Sequence, residues 1–314
     1  MDLQGTILRV DGTNCIIHSN GKTYRAYMKK RILGSNPEEI KPIAVGDEVI
    51  FEYRNDEDIL LKEVLPRKSW LMRQAVGKPG KRQVVVANVE QMLVIGSISS
   101  PAFSNGIIDR FLTAAAKGKL LPIIAINKFD LKDQEANWPE IEKKIKTYTS
   151  LNYKVVCSSI HDLNSLQSLK NLLVGHSTVI VGHSGVGKSS LLSKIDPNIQ
   201  LKVGEINPKS QKGRHTTTSV MIFPLQDGGF VVDTPGIREF TLWKMETWEL
   251  SQYFPEMASE LLTCKYKKCT HTHEPYCAVK IALEEERIAD FRYQSYCRIL
   301  DSILHPNLEA EEDN

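Results

Sequence analysis

The chain opens with five short runs in which apolar and polar residues alternate, at residues 5–10, 14–18, 22–26, 47–53 and 59–65. A period of two is the mark of strands with one buried face. Turn signals at Asp11-Gly12, Asn20-Gly21 and Val45-Gly46-Asp47 separate them. Five such strands predict a small Greek-key barrel of OB type over residues 1–68, a class whose strand faces commonly bind oligonucleotides. An SH3-like barrel fits the same pattern. From residue 69 the pattern changes. Continuous apolar runs, at 92–98, 121–126, 178–181 and 229–232, alternate with helix-period stretches such as 107–117. Strands that are apolar throughout belong to a sheet covered on both faces, so residues 69–241 read as an α/β domain. Beyond it, 247–254 and 279–304 read as helices, the second with Phe291, Tyr293, Tyr296 and Ile299 among its spaced apolar positions. They make a third unit, 242–314, whose acidic end from Glu309 to Asn314 is expected to be disordered.

The runs carry chemistry at their carboxyl ends. Gly182-His183-Ser184-Gly185-Val186-Gly187-Lys188-Ser189 fits G-x-x-x-x-G-K-S and stands between an apolar run and a helix-like stretch from Ser189 and Ser190 onward. In that setting the glycines turn backbone N–H groups onto phosphates, Lys188 reaches the β and γ phosphates, and the Ser189 hydroxyl ligates Mg²⁺. Asn127-Lys128-Phe129-Asp130 follows another run. The Asp130 carboxylate can accept from guanine N1–H and its 2-amino group, Asn127 can bond the O6/N7 edge, and Lys128 can lie along the base. Adenine offers neither donor, so the pair of motifs selects GTP and GDP over adenine nucleotides. Ser158 and Ser159, after Val155-Val156-Cys157, are in place to back the guanine. Asp233-Thr234-Pro235-Gly236 ends a further run. Its Asp233 takes the position of the Mg²⁺-associated acid, and the Gly236 N–H faces the γ-phosphate.

The order of these motifs is rotated. In an ordinary G protein the phosphate loop precedes the base-reading tetrapeptide, whereas here residues 127–130 precede 182–189. The chain is therefore read as a circularly permuted GTPase domain. Ile237 stands where Ras-like proteins carry the glutamine that orients the attacking water, and an isoleucine cannot do so. His215, in Lys212-Gly213-Arg214-His215-Thr216-Thr217-Thr218, is the substitute candidate; packing or an RNA contact is the competing role. Among the three threonines Thr217 is favoured as the Mg²⁺ ligand, with Thr216 and Thr218 left open. His215, Lys188 and Thr217 make the candidate catalytic set.

A second constellation is Cys264-x4-Cys269-x-His271-x5-Cys277, set among Lys265, Tyr266, Lys267 and Lys268. Three thiolates and one imidazole form a closed tetrahedral set, the structural kind of zinc site. His273 is ranked below His271. The surrounding segment looks poor in apolar residues, so the metal is expected to supply part of its folding free energy. Cys15, Cys157 and Cys297 are scattered singly.

Composition narrows the class without deciding it. The chain has 314 residues and a net charge of +2, enough length for two or three cores and too little charge to prove a nucleic-acid partner. No apolar run is long enough to span a bilayer, and the first residues show no basic region followed by an apolar stretch. Charge distribution is more telling. Arg67, Lys68, Arg73, Lys78, Lys81 and Arg82 run without an intervening acid, which reads as a linker able to contact a phosphate backbone. A GTPase of signalling or transport without RNA, and an RNA-binding scaffold that keeps GTP only as a structural ligand, remain competing classes.

On the phosphate loop, Gly213 to Thr218 and the Cys264, Cys269, His271, Cys277 spacing, the whole chain resembles the ribosome small-subunit-dependent GTPase family. These are bacterial permuted GTPases built as an OB domain, a G domain and a zinc domain. The resemblance implies a multi-domain α/β fold with those three parts and a cytoplasmic factor in late maturation of the 30S subunit. It further implies one structural Zn²⁺, binding to the 30S subunit and its rRNA near the decoding region, no membrane, and a monomer. GTP would be hydrolysed to GDP and phosphate on the subunit, followed by release.

Overall fold

The computed structural model describes residues 2–305 except 13, 28–37, 56, 57, 76–79, 198, 200–219 and 235–244. The strands β1 (Asp2–Asp11), β2 (Asn14–Ser19), β3 (Lys22–Tyr27), β4 (Glu48–Asn55) and β5 (Asp58–Val64) close into a barrel in the order β1-β2-β3-β5-β4. The alternation read in the sequence is the inside and outside of this barrel: Ile7, Cys15, Ile17, Ala26, Val49, Phe51, Ile59 and Leu61 point in. β3 and β5 meet in parallel, the return crossing of a Greek key, as the OB type requires.

The basic stretch after the barrel is not an open linker. Its described residues include an antiparallel pair, β6 (Trp70–Gln74) with β7 (Arg82–Ala87), bonded to residues 38–45 ahead of β4. Arg67 donates to the buried Asp47 carboxylate at 2.7 and 2.9 Å and lies 3.3 Å from Glu39, which also takes Arg82 at 2.8 Å. Lys68 pairs with Glu48 at 3.3 Å. Acids distant in sequence therefore engage cations that read as available for phosphates. For Arg67 burial opposes the charge, and the Asp47 and Glu39 carboxylates outweigh it, holding the guanidinium above its ordinary range.

The third sheet has six strands, β8 (Gln91–Ser97), β9 (Leu121–Asn127), β10 (Lys154–Cys157), β11 (Ser177–Val181), β12 (Met221–Pro224) and β13 (Phe230–Asp233). Their order is β10-β9-β8-β11-β13-β12, parallel except for β12. The apolar runs are explained by cover on both faces. Val94, Ile124, Val179 and Val232 pack under α1 (Asn105–Lys117) and α2 (Trp138–Ser150). Their neighbours Leu93, Ile123, Ile180 and Val231 point the other way, under α3 (Leu163–Leu173) and α4 (Lys188–Ile195). Chain order runs outward from β8 through β9 to β10, then restarts at β11 and runs the opposite way. Ligands of open α/β sheets bind at the carboxyl ends of strands beside such a reversal.

The carboxyl-terminal unit differs from the expected pair of helices. Thr247–Tyr253 is a 3₁₀ helix, followed by α5 (Pro255–Ala258) and a short 3₁₀ turn at Leu261–Thr263. The long helix expected over 279–304 is two: α6 (Ala278–Glu284) and α7 (Asp290–Leu304). The break falls at Glu286, whose φ of 56° is left-handed, and both Arg287 and Ile288 donate to the Ala282 carbonyl. This unit is also less poor in apolar residues than it looked. Leu250, Phe254, Met257, Val279, Tyr296 and Ile299 form a core that the Cys269 and Cys277 side chains join. Among the described residues no helix is long and apolar enough to cross a membrane.

Candidate functional site

The two nucleotide motifs meet at the carboxyl ends of β9 and β11. Asn127 is the last residue of β9 and 2% exposed; its Nδ2 donates to the Val186 carbonyl at 2.9 Å. Lys128 turns left-handed at φ 60° and its Nζ donates to the Gly185 carbonyl at 2.9 Å and to the Ser100 carbonyl. The base-reading loop is thus tied to the phosphate loop at two points before any ligand is considered. Two glycines make this approach possible. Gly187 has φ 92°, and a Cβ there would sit 2.5 Å from Asn127 Nδ2; Gly182 has φ 145°, and its Cβ would sit 2.3 Å from the Ile95 carbonyl.

Asp130 lies in the first turn of a 3₁₀ helix, Phe129–Gln134, and its Oδ1 accepts from the Ser159 hydroxyl at 2.5 Å. Ser159 therefore orients the carboxylate, a role the sequence did not assign to it. Ser158 is buried, its N–H donating to Ile126 at 2.8 Å and its carbonyl accepting from Phe129 at 3.0 Å, so the serine loop and the base-reading loop share a backbone seam. Asn127, Lys128, Asp130, Gly187 and Ser190 line one cleft of about 240 Å³ together with Leu131, Ile160 and His161. Leu131, Ile160 and His161 were missed by motif reading; their only signal is that Leu131 follows Asp130 and that Ile160 and His161 follow Ser159. The cleft offers a carboxylate at one end, apolar walls from Leu131 and Ile160, and the phosphate loop at the other end, which suits a purine base attached to phosphates.

The phosphate loop leads into α4, whose amino terminus carries N–H groups suited to an anion. Lys188 Nζ donates to the loop carbonyls of Gly182 at 2.7 Å and His183 at 2.8 Å, which holds the ammonium over the loop. Ser184, Gly185 and His183 are exposed, and His183 Nδ1 lies 2.8 Å from the Ser184 carbonyl. Val186 is buried, while Lys188 and Ser189 are half-buried at the helix start. Asp233 ends β13 beside this loop; burial raises its carboxyl above the ordinary value and the nearby Lys188 charge pulls it back. A partly desolvated carboxylate next to a lysine is the environment a divalent cation would relieve. Gly236, Ile237, Gly213, His215 and Thr216 to Thr218, with Thr217 the favoured ligand, lie outside the described residues.

At the other end of the chain Cys264, Cys269, His271 and Cys277 converge, their four ligand atoms all within 4.8 Å of one another. His271 Nδ1 is 3.3 Å from Cys277 Sγ and 3.6 Å from Cys264 Sγ. A zinc tetrahedron with Zn–S of about 2.3 Å and Zn–N of about 2.0 Å has edges of roughly 3.5 to 3.8 Å, so the set fits that ion. His273 is not in the group; it is exposed and bonds Thr272. The outer shell holds the loop in shape. Glu274 accepts from the Thr270 and Thr272 N–H groups at 2.6 and 3.0 Å. Although burial acts upward on its carboxyl, these backbone donors hold it down at about 2. From α7, the Tyr293 and Tyr296 hydroxyls donate to the His271 and Thr270 carbonyls, both at 2.7 Å.

Comparison with known proteins agrees with this geometry. A family profile described as RsgA GTPase matches residues 64–243. A small ribosomal subunit biogenesis GTPase RsgA of Christiangramia forsetii is 31% identical over 99% of this chain and 98% of its own. The protein of the same name from Halalkalibacterium halodurans is 39% identical over 84% of this chain and 85% of its own. Among solved structures, YjeQ from Thermotoga maritima superposes with a TM-score of 0.76 at 30% identity, covering 97% of this chain and 99% of that one. YloQ, described as a circularly permuted GTPase, superposes at 0.70 and 28% identity, covering 98% and 96%. With barrel, permuted sheet and cysteine-histidine cluster in one chain, matched over most of their length, this protein belongs to the RsgA GTPase family.

Proposed function

We propose that this protein is a GTPase of small ribosomal subunit biogenesis that hydrolyses GTP to GDP and phosphate while docked on the 30S subunit, and leaves the subunit afterwards. The observation that carries the reading is the junction of the base-reading and phosphate loops through Asn127 and Lys128, inside a family whose named members are small-subunit biogenesis GTPases. In this reading Asp130 selects guanine, Lys188 and the α4 amino terminus hold the phosphates, and Ser189 ligates Mg²⁺ with Asp233 behind it. Thr217 completes the Mg²⁺ shell and His215 places the attacking water. Cys264, Cys269, His271 and Cys277 hold one structural zinc ion. Function would be cytoplasmic and monomeric, with rRNA phosphates as the contact chemistry of the docked state. Binding would then weaken with added salt, because each neutralised phosphate releases counterions.

The test is multiple-turnover phosphate release from GTP with and without purified 30S subunits. Stimulation by the subunit and tighter binding of the non-hydrolysable GTP form than of the GDP form are expected. Equal affinity in the two nucleotide states together with no stimulation would put a GTPase of signalling or transport ahead. Nucleotide binding without any turnover would favour the scaffold.

A further inference from the structure

Arg292 lies on the amino-terminal half of α7, one and two turns ahead of Tyr296 and Ile299 on the same buried face, and is 1% exposed. Its guanidinium donates through NH1 to Asp109 of α1, and through Nε to Glu256 of α5 at 2.6 Å. It also stacks over Phe254 at 4.5 Å and faces the Tyr148 ring at 5.5 Å. Asp109 is 0% exposed and accepts from the Tyr148 hydroxyl at 2.6 Å. One turn earlier on α1 and one turn later on α7, Asn105 Nδ2 donates to Ser295 Oγ at 2.9 Å, while Asn105 Oδ1 accepts from Lys144 at 3.2 Å. Phe291 adds apolar contact to the same seam, packing into the core of the α/β domain and not into that of its own unit. The carboxyl-terminal unit is therefore fastened to the first two turns of α1 by a buried polar network within an apolar frame, in which Asp109 Oδ1 takes the hydrogen bonds and Oδ2 takes none.

The seat of that fastening is next to the nucleotide loops. α1 is capped by Ser104, and the loop 97–104 that leads into it carries the Ser100 carbonyl that receives Lys128 Nζ. In the same loop the Ser97 hydroxyl donates to the Pro101 carbonyl at 2.7 Å, and Pro101 lies against Gly185 of the phosphate loop. Between this loop, the first turn of α1 and the phosphate-loop residues His183 and Val186 is a cavity of about 250 Å³. The loop is held at its ends and has free space beneath it. The pocket opens to solvent, so a small shift of α1 can be taken up there and passed to Lys128 and Gly185.

We infer that Arg292, Asp109, Asn105 and Ser295 are positioning residues for the nucleotide site, setting the affinity for guanine nucleotide through α1 and the loop 97–104. The route is independent of the segment after Asp233. It rests on the GTPase reading of the cleft. Because coupling is reciprocal, nucleotide in the cleft also tightens the seat of the carboxyl-terminal unit, so a partner that grips that unit alters nucleotide affinity from a distance.

The test uses the full-length zinc-loaded protein and GDP as the probe. Asn105→Ala removes the half-buried end of the network and leaves the buried ion pair in place. Asp109→Leu with Arg292→Met removes both charges together, avoiding an uncompensated one in the core. Each variant should keep zinc and the fold but bind GDP at least about fivefold more weakly, the lower end of usual coupling strengths. Hydrogen exchange in α7 should slow on adding GDP to the unmodified protein and not to the double variant. GDP affinity within twofold of the unmodified protein in Asn105→Ala, and in the double variant if it folds, would overturn the inference and leave the network a structural joint. Failure of the unmodified protein to bind GDP would instead defeat the reading of the cleft itself.

Discussion

Asn127 and Val186, 59 residues apart in sequence, are joined by a 2.9 Å hydrogen bond from the asparagine amide to the valine carbonyl. The bond ties the end of β9 to the loop ahead of α4, so in the proposed reading the base and the phosphates of the nucleotide are met by one joined unit. Because Asn127 is buried, its removal leaves the Val186 carbonyl without its donor. Loss of such a partner costs about 1 to 3 kcal/mol. Asn127→Ala should therefore weaken GDP binding by roughly five- to 150-fold at 25 °C, measured by titration with a fluorescent guanine nucleotide.

Gly187→Ala tests the same contact from the other side. The added Cβ would sit 2.5 Å from Asn127 Nδ2 on a backbone at φ 92°. Both the clash and the left-handed geometry oppose it, so the loop must move away from the asparagine. We expect loss of detectable guanine nucleotide binding with circular dichroism unchanged; normal affinity would show that the loops need not touch.

In the proposed reading guanine selectivity rests on the Asp130 carboxylate, which accepts from the Ser159 hydroxyl at 2.5 Å. Asp130→Asn should weaken GTP binding and raise affinity for xanthosine triphosphate, since the amide N–H can meet the oxygen that replaces the 2-amino group. Ser159→Ala should weaken GTP more mildly, by several-fold, without that change of preference. Equal competition by ATP in the unmodified protein would refute the assignment.

Zinc removal should act locally. The ligands Cys269 and Cys277 share a core with Leu250, Phe254, Tyr296 and Ile299, so the carboxyl-terminal unit keeps apolar contacts when the metal leaves. Chelation, or Cys264→Ser, should release about one equivalent of zinc and expose the knot at residues 264–277 to protease. GDP affinity should stay within about threefold, because α7 remains seated on α1. Absence of zinc from protein purified without chelator would defeat the structural-zinc assignment.

Cys15 gives a pH prediction. Burial inside the barrel pushes its thiol from 9.0 to about 11, so the folded barrel holds that proton more tightly than the unfolded chain does. The stability this contributes is fully present below pH 9 and is lost as pH rises from there toward about 11. At pH 8 iodoacetamide should leave Cys15 unmodified in the native protein and modify it after denaturation. Rapid native-state labelling at that pH would show the barrel interior to be open.

Much of the fold was legible because local spacing carries it. Period-two alternation marks strands with one wet face, as in Cys15 and Ile17 of β2, and continuous apolar runs mark strands covered on both sides, as in β9. The glycine-rich and cysteine-rich spacings encode loops whose geometry depends on few neighbours, so Asn127, Lys128, Asp130, Gly187 and Ser190 of the cleft and the four residues of the knot could be named in advance, while Leu131, Ile160 and His161 could not. What only the tertiary structure decided involves partners that spacing cannot see. Arg67 and Arg82 read as cations free for RNA, yet Asp47 and Glu39, brought in by the barrel, engage them. The helical period runs on through Glu286, but the chain turns there, and α7 is redirected onto α1. Arg292 shares a helical face with Tyr296 and Ile299, but nothing in the spacing names its acceptor Asp109, 183 residues away. Hydrophobic patterning specifies which face of an element leaves water, since that depends on the element alone. Which buried cation meets which buried carboxylate depends on how whole elements dock, and desolvation makes that match obligatory without writing it into either segment.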